Sequence, residues 1–335
     1  MTAALQRALL LAWTRRGTLA ALLWPLSLVY GLITDVRRRL YRTAFLRPRR
    51  LRVPVVVVGN LVAGGAGKTP LVMALVAHLV AQGWKPGVVS RGFGRQAASC
   101  QEVRNSSPVS AVGDEPLMIR RKTGVPVFVA AARRTAAQQL LARYPEVNVL
   151  ISDDGLQHLA LHRDIEICVF DEHGVGNGWL LPAGPLREPW PRPCDLILDA
   201  GVLDASPRFG VRRSLADHAA KVNGETVLLD VLARHSNAAH APLWAIAGIA
   251  RPEQFFAMLR KRGLVLAGTT ALTDHGNIHE QDLHTARGHQ LLCTEKDADK
   301  LWSLRPDALA IGLQLAIDPA FWQPFDRLLA ARART

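Results

Sequence analysis

The residues Gly59 to Thr69 read G-N-L-V-A-G-G-A-G-K-T, directly after an apolar run and at the start of a helical pattern. That is the setting a phosphate-binding loop needs. Glycines let backbone N–H groups turn inward around an anion, and a helix N-terminus adds the positive end of its dipole. Lys68 is placed to reach terminal phosphates, and the Thr69 hydroxyl to ligate magnesium. The general pattern has glycine where Val62 stands, so Gly64 and Gly65 must make the turn. The plain alternative is a tight strand–helix turn with an incidental lysine. The glycines, Lys68 and Thr69 together favour a nucleotide site formed by Val62, Ala63, Gly64, Gly65, Ala66, Gly67, Lys68 and Thr69, with Mg2+ bound beside the nucleotide.

A phosphate loop specifies a nucleotide but not a reaction. Phosphoryl transfer also needs carboxylates around the metal and a group to orient or deprotonate the acceptor. Val149–Asp154 (V-L-I-S-D-D) is an apolar strand ending in two acids, and the C-terminal ends of strands face the ligand crevice in open α/β sheets. Asp153 and Asp154 are therefore metal-site candidates, against the alternative of a solvated Asp-Asp-Gly turn. Gly113-Asp114-Glu115-Pro116 is either a helix start with acids on its first turn or part of a site. Asp274-His275 is an acid–imidazole pair suited to proton transfer if it faces the phosphates. Within Leu180–Pro189 (L-L-P-A-G-P-L-R-E-P), Arg187 either holds a phosphate bidentately or pairs with Glu188 at the surface.

These groups need a frame. Val53–Gly59 is a continuous β-branched run, as expected of a buried parallel strand. Thr69–Gln82 has helical spacing and ends at Gly83. Strand-like runs recur at Gly87–Ser90, Val125–Ala130, Val147–Ser152, Ile165–Phe170 and Leu196–Leu198, with helical patterns between several of them. A second set follows: strands at Leu243–Ile249, Leu264–Thr269, His289–Thr294 and Leu309–Leu315, and helices at Pro252–Lys261, Lys296–Ser303 and Pro319–Arg332. The alternation predicts an α/β fold: a P-loop NTPase-like parallel sheet flanked by helices, with a second, smaller α/β domain. The expected divisions are 1–50 as an N-terminal anchor and basic segment, 51–235 as the nucleotide domain and 236–335 as the smaller domain. Arg234–Pro242 is the linker.

The 335 residues carry a net charge of +13, but residues 1–52 hold 11 arginines and one acid, Asp35. The rest is near neutral, so the basicity does not mark a nucleic-acid-binding face spread over the body. The arginines flank the uncharged run Gly17–Thr34. Arginine on both sides fits a helix lying in the membrane interface better than one crossing it or one buried in a core. Cys100, Cys168, Cys194 and Cys293 lie far apart, which excludes a disulfide scaffold or zinc knuckle and favours a reducing compartment.

Taken in order, G-N-L-x-x-G-G-x-G-K-T-P (Gly59–Pro70), S-R-G-F-G-R (Ser90–Arg95), G-D-E-P, D-D-G-L-Q-H (Asp153–His158), L-L-P-A-G-P-L-R-E-P and T-E-K-D (Thr294–Asp297) resemble the tetraacyldisaccharide 4'-kinase family of Gram-negative bacteria. The resemblance implies transfer of the ATP γ-phosphate to the 4'-hydroxyl of an acylated glucosamine disaccharide 1-phosphate, forming lipid IVA at the cytoplasmic face of the inner membrane. It implies that Asp114, paired with His275, activates the hydroxyl beside Lys68. It also implies that Glu115, Asp153 and Asp154 lie near the metal with Thr69, and that Phe93, Arg187 and Glu188 belong to the substrate site. Phe93 stands where the family often has Tyr, and Gly276 where a second His is usual. No nucleic acid and no obligate protein partner are expected. The alternative is a membrane-associated switch ATPase: its deviant phosphate loop is similar, but it carries lysine where Ala63 stands.

Overall fold

In a computed structural model of the protein, residues 11–43, 48, 50–64, 67–96, 99–203, 208–236, 243–249, 251–273 and 278–333 are described. The chain forms two compact units, Met1–Arg212 with Ile317–Thr335, and Arg213–Ala316. The boundary thus differs from the expected one after residue 235, and the last helix joins the first unit. A 13-residue strand (β8 below) explains the difference, since the chain leaves the first unit within it. Its polar, arginine-rich sequence lacks the apolar run by which the other strands are recognised.

In the first unit the apolar runs become β1 (Val55–Gly59), β2 (Pro86–Ser90), β3 (Gln101–Val103), β4 (Val127–Val129), β5 (Val149–Asp153), β6 (Ile165–Phe170), β7 (Leu196–Asp199) and the start of β8 (Arg208–Ala220). Their order is β8-β7-β6-β1-β5-β2-β4-β3. All the pairings are parallel except β3 with β4, where a short antiparallel strand closes the edge. The strands β7, β1, β5, β2 and β4 are buried along their whole length, which is why β1 reads V-V-V-V-G without alternation. The longer helices of this unit's Met1–Arg212 part are α1 (Thr18–Arg42), α2 (Lys68–Ala81), α3 (Asp114–Thr123) and α4 (Arg133–Arg143). Val55, Val57, Leu61, Leu140, Leu150, Leu156 and Phe170 share one core cluster.

The second unit holds α5 (Leu229–Ser236), α6 (Pro252–Lys261), α7 (Glu295–Trp302) and the strands β9 (Thr226–Leu228), β10 (Leu243–Ala247), β11 (Leu266–Ala271), β12 (Gln290–Thr294) and β13 (Leu309–Ile317). Here β11, β10, β12 and β13 pair in parallel. Phe255, Phe256 and Leu259 of α6 fill its core. The T-E-K-D segment is a buried support: Asp297 accepts hydrogen bonds from Thr294 Oγ1 at 2.6 Å and from the Gly248 backbone at 2.9 Å. Of the expected linker, 234–236 end α5 and 237–242 lie outside the described residues. The terminal α8 (Trp322–Ala333) returns to the first unit, where His78 of α2 stacks on Trp322 at 4.1 Å and meets Asp326 at 2.8 Å.

One disulfide, Cys168–Cys194, joins β6 to the segment before β7. The sequence pointed away from disulfides because 26 residues separate the two cysteines, while parallel pairing of β6 with β7 brings the segments together.

The loop Arg91–Arg95 packs against the turn that opens α3. Gln96 N–H donates to Ser110 O at 2.8 Å, and Gly113 adopts a φ of +90°, with the space of a side chain taken by the Phe93 carbonyl. A Cβ on Gly113 would lie 2.9 Å from that oxygen. Gly113→Ala should therefore cost about 1–3 kcal/mol of stability, read as a lowered melting temperature with the fold retained.

Candidate active site

Parallel pairing of β1 with β5 places Val58 opposite Asp153, so the loop leaving β1 starts beside the acids that end β5. The loop turns through Gly64 at φ +118° and Gly67 at φ +77°, conformations open to glycine at no steric cost. Gly67 is the N-cap of α2, so Lys68 and Thr69 occupy its first turn. Gly65 and Ala66 lie outside the described residues. Lys68 Nζ is 3.1 Å from Asn60 Oδ1 and 3.6 Å from Asp154 Oδ1. Asn60 also donates to Gly64 O at 3.1 Å, tying the lysine to the loop it serves.

Arg187 joins the same cluster. Its Nη1 is 3.1 and 3.2 Å from the two carboxylate oxygens of Asp154. The expected alternative, an ion pair with the adjacent Glu188, is not the contact made. Glu188 is buried, accepts from Gln157 Nε2 at 2.9 Å and pairs with Arg192 at 2.9 Å. The Leu180–Pro189 loop also clamps the phosphate loop from outside. Val62 bridges to Leu186, Ala63 N–H donates to Pro185 O at 2.7 Å, and Arg187 N–H donates to Leu61 O at 2.6 Å.

The two aspartates have opposite electrostatics. Asp153 is fully buried, and its Oδ2 accepts from Ser90 Oγ at 3.2 Å. Burial, with Glu115 and Asp154 close by, pushes its carboxyl up to about 7 against the pull of Lys68 and Arg133. Burial also works against ionisation of Asp154, but Lys68 and Arg187 outweigh it and hold that carboxyl below its ordinary value. Asp154 adopts a φ of +47°, the sole positive-φ non-glycine among the described residues, as befits a residue held by its surroundings. Asp153 Oδ1 is buried without a hydrogen-bond partner. A buried orphan oxygen among three crowded carboxylates, with the buried Thr69 nearby in the first turn of α2, fits the donor set of a hard divalent cation.

Several neighbours carried little sequence signal. Arg133 opens α4, is buried, and donates to Asp154 O at 3.2 Å. Burial lowers its pKa, and Asp153 and Asp154 offset this. His158 is pushed down to about 4 by burial and by Arg133 and Arg163, so its ring is neutral at physiological pH. Asn60 and Gln157 sit inside the motifs already quoted, whereas Arg133 follows an unremarkable A-A and had no motif to reveal it. Asp114 and Glu115 form the half-buried first turn of α3, and the exposed Phe93 lies on the loop packed against Gly113. Asp274 and His275 lie outside the described residues, so the expected pairing of His275 with Asp114 is not described.

A family model described as "LpxK: Tetraacyldisaccharide-1-P 4'-kinase" matches residues 19–333. The chain belongs to this family. A tetraacyldisaccharide 4'-kinase of Acidovorax sp. (strain JS42) is 54% identical over 322 residues, covering 96% of this chain and 94% of that protein. One of Polaromonas naphthalenivorans (strain CJ2) is 53% identical, covering 97% of this chain and 95% of that protein. The crystal structure of LpxK from Aquifex aeolicus in complex with ATP superposes with a TM-score of 0.77 at 27% identity, over 94% of this chain and 99% of that one. Membership of a tetraacyldisaccharide 4'-kinase family sets aside the switch-ATPase alternative, in line with Ala63 at the position of that class's lysine.

The raised carboxyl has a pH signature. In the nucleotide- and metal-free protein, folded Asp153 keeps a proton that the unfolded chain releases near 3.8. Its contribution to stability is therefore full below about pH 4 and lost as pH rises through about 7. Asp153→Asn should flatten the fall in melting temperature over that window. An unchanged slope would place the protonation elsewhere.

Proposed function

We propose that the protein transfers the γ-phosphate of ATP to the 4'-hydroxyl of tetraacyldisaccharide 1-phosphate, giving lipid IVA. The observation that carries this reading is the meeting of Lys68, Asp154 and Arg187 where the phosphate loop leaves β1, in a chain whose family is defined by that kinase activity.

The loop backbone from Val62 to Gly67 and the N-terminus of α2 receive the β- and γ-phosphates, and Lys68 neutralises charge that grows as the β–γ bridging bond breaks. Thr69, Glu115, Asp153 and Asp154 are the residues that would hold Mg2+, which supplies charge neutralisation at the phosphate oxygens. Asp114, at the start of α3, accepts the proton of the attacking hydroxyl as its oxygen bonds to phosphorus, and His275 tunes that acid. Arg187, already fixed on Asp154, and Arg133 add positive charge beside the transferred group. Phe93 and Glu188 are assigned to the sugar side of the site.

The acceptor's acyl chains stay in a bilayer, so the enzyme must work at its surface. Among the described residues one helix, Thr18–Tyr41, is long and apolar enough to cross a membrane. Leu22, Leu26, Val29, Ile33, Val36 and Leu40 form one exposed apolar stripe at helical spacing. The opposite side makes polar contacts with the Leu180–Pro189 loop, as from Ser27 and Tyr30. A helix with one face on protein and the other apolar and exposed fits an interfacial position on the cytoplasmic side of the inner membrane, where ATP is available.

Incubation of the purified protein with labelled ATP and the disaccharide lipid should yield labelled lipid. Asp114→Ala should lower turnover about 10²–10⁴-fold with ATP binding retained. ATP hydrolysis that leaves the lipid unlabelled would reject the kinase reading. Deleting residues 1–34 should move the protein from membrane to soluble fractions, and retention in the membrane would reject the role given to α1.

A further inference from the structure

The N-terminal helix meets the Leu180–Pro189 loop through hydrogen bonds to its main chain, with Arg38 also 3.9 Å from Glu188. Ser27, buried in α1, donates to Leu180 O at 2.8 Å and accepts from Ala183 N–H at 3.0 Å. Three residues on, the Tyr30 hydroxyl donates to Arg187 O at 3.0 Å. Gly31 lets the helix close on the loop, for a Cβ there would lie 2.9 Å from Leu180 Cδ1. Before the helix, Trp13 Nε1 donates to Pro182 O at 2.9 Å and Arg16 to Asn177 O at 3.0 Å.

The far side of this segment is the active site. Arg187 is held at three points: its carbonyl by Tyr30, its N–H by Leu61 O in the phosphate loop at 2.6 Å, and its guanidinium by Asp154, which faces Lys68. Ala63, in the same loop, donates to Pro185 O. A shift of α1 along or away from the segment must therefore move the backbone from which Arg187 reaches Asp154, and displacements near 1 Å at reacting groups cost large factors in rate.

We propose that Ser27 and Tyr30 are positioning residues: their hydroxyl groups fix the Leu180–Arg187 backbone so that Arg187 and the phosphate loop stand in the geometry for transfer. The helix is then a structural part of the catalytic site as well as an attachment to the lipid surface. The inference rests on the kinase reading for its rate consequence, but its structural half does not.

The test compares the full-length wild type, the Ser27→Ala/Tyr30→Phe double variant and Ser27→Thr, which keeps a hydroxyl. Three quantities are read: co-sedimentation with phosphatidylcholine–phosphatidylglycerol vesicles, amide hydrogen exchange at Ala63 and Arg187, and kcat and KM for ATP and lipid. The double variant should sediment as the wild type does, since the apolar stripe is untouched. Its exchange at Ala63 and Arg187 should quicken, and kcat should fall about tenfold with KM for the lipid unchanged, the size expected for hydrogen bonds of this kind. Ser27→Thr should behave as the wild type. Exchange at those amides equal to wild type, an unchanged kcat, or a loss of rate fully matched by lost vesicle binding would overturn the proposal. A wild type that labels no lipid would defeat the kinase reading alone, and exchange together with ATP affinity would then decide the positioning role.

Discussion

The structure turns on the parallel register of β1 and β5. Because Val58 lies opposite Asp153, the backbone that wraps phosphate and the acids that end the neighbouring strand emerge side by side. The arrangement is electrostatically costly by itself, for Glu115, Asp153 and Asp154 crowd one buried region. Lys68, Arg187 and Arg133 offset that crowding, and they do so unequally. Asp154 takes the direct ion pairs and stays charged, while Asp153, deeper and held by Ser90, leans toward its neutral form. Two adjacent carboxyls with separated proton affinities are a recurrent way to divide tasks in a site. Here the division follows from the burial of Asp153 at the strand end and the direct pairing of Asp154, one residue beyond it, with Lys68 and Arg187.

The Leu180–Pro189 loop is the second determinant. Loops usually sit at the periphery of a fold, but this one joins three elements: α1, the phosphate loop and the end of β5. Glu188 and Arg192 secure it from within, and Gln157 links Glu188 to Arg187 at 2.9 and 3.4 Å respectively. Its prolines and glycine, legible in the sequence as a rigid turn, serve to present backbone carbonyls to partners on both sides. The conversion of one loop into a hub explains why Arg187 is held at its carbonyl, its N–H and its guanidinium.

Much of this was legible from residue types because burial in parallel sheets leaves strong marks. The apolar runs became strands with ends shifted by only a few residues, as Val147–Ser152 became Val149–Asp153, and Pro252–Lys261 formed as read. What escaped detection lacked such marks. The long β8 is too polar to stand out, and its path across two units moved the domain boundary. Arg187 was readable as a phosphate ligand or as a partner of Glu188, and only three-dimensional proximity selects Asp154. Arg133 begins a helix whose sequence says nothing of what lies above it. Local patterns therefore reported elements and motifs, while long-range pairings decided which charges meet.

The N-terminal helix shows how far composition reaches. Its flanking arginines and apolar run point to an interfacial helix, yet an anchor needs only an apolar face and some positive charge. Ser27, Tyr30 and Gly31 serve neither end, since they lie away from the exposed stripe and hold or fit the loop that carries Arg187. A helix attached only for tethering would gain nothing from fixed hydrogen bonds to a catalytic loop, because a flexible linker would hold the enzyme at the lipid equally well. The polar side of α1 thus has a function separate from its apolar side. An enzyme joining a water-borne triphosphate to a lipid-bound sugar has reason to tie its apolar surface helix to the loop that carries its phosphate-site arginine.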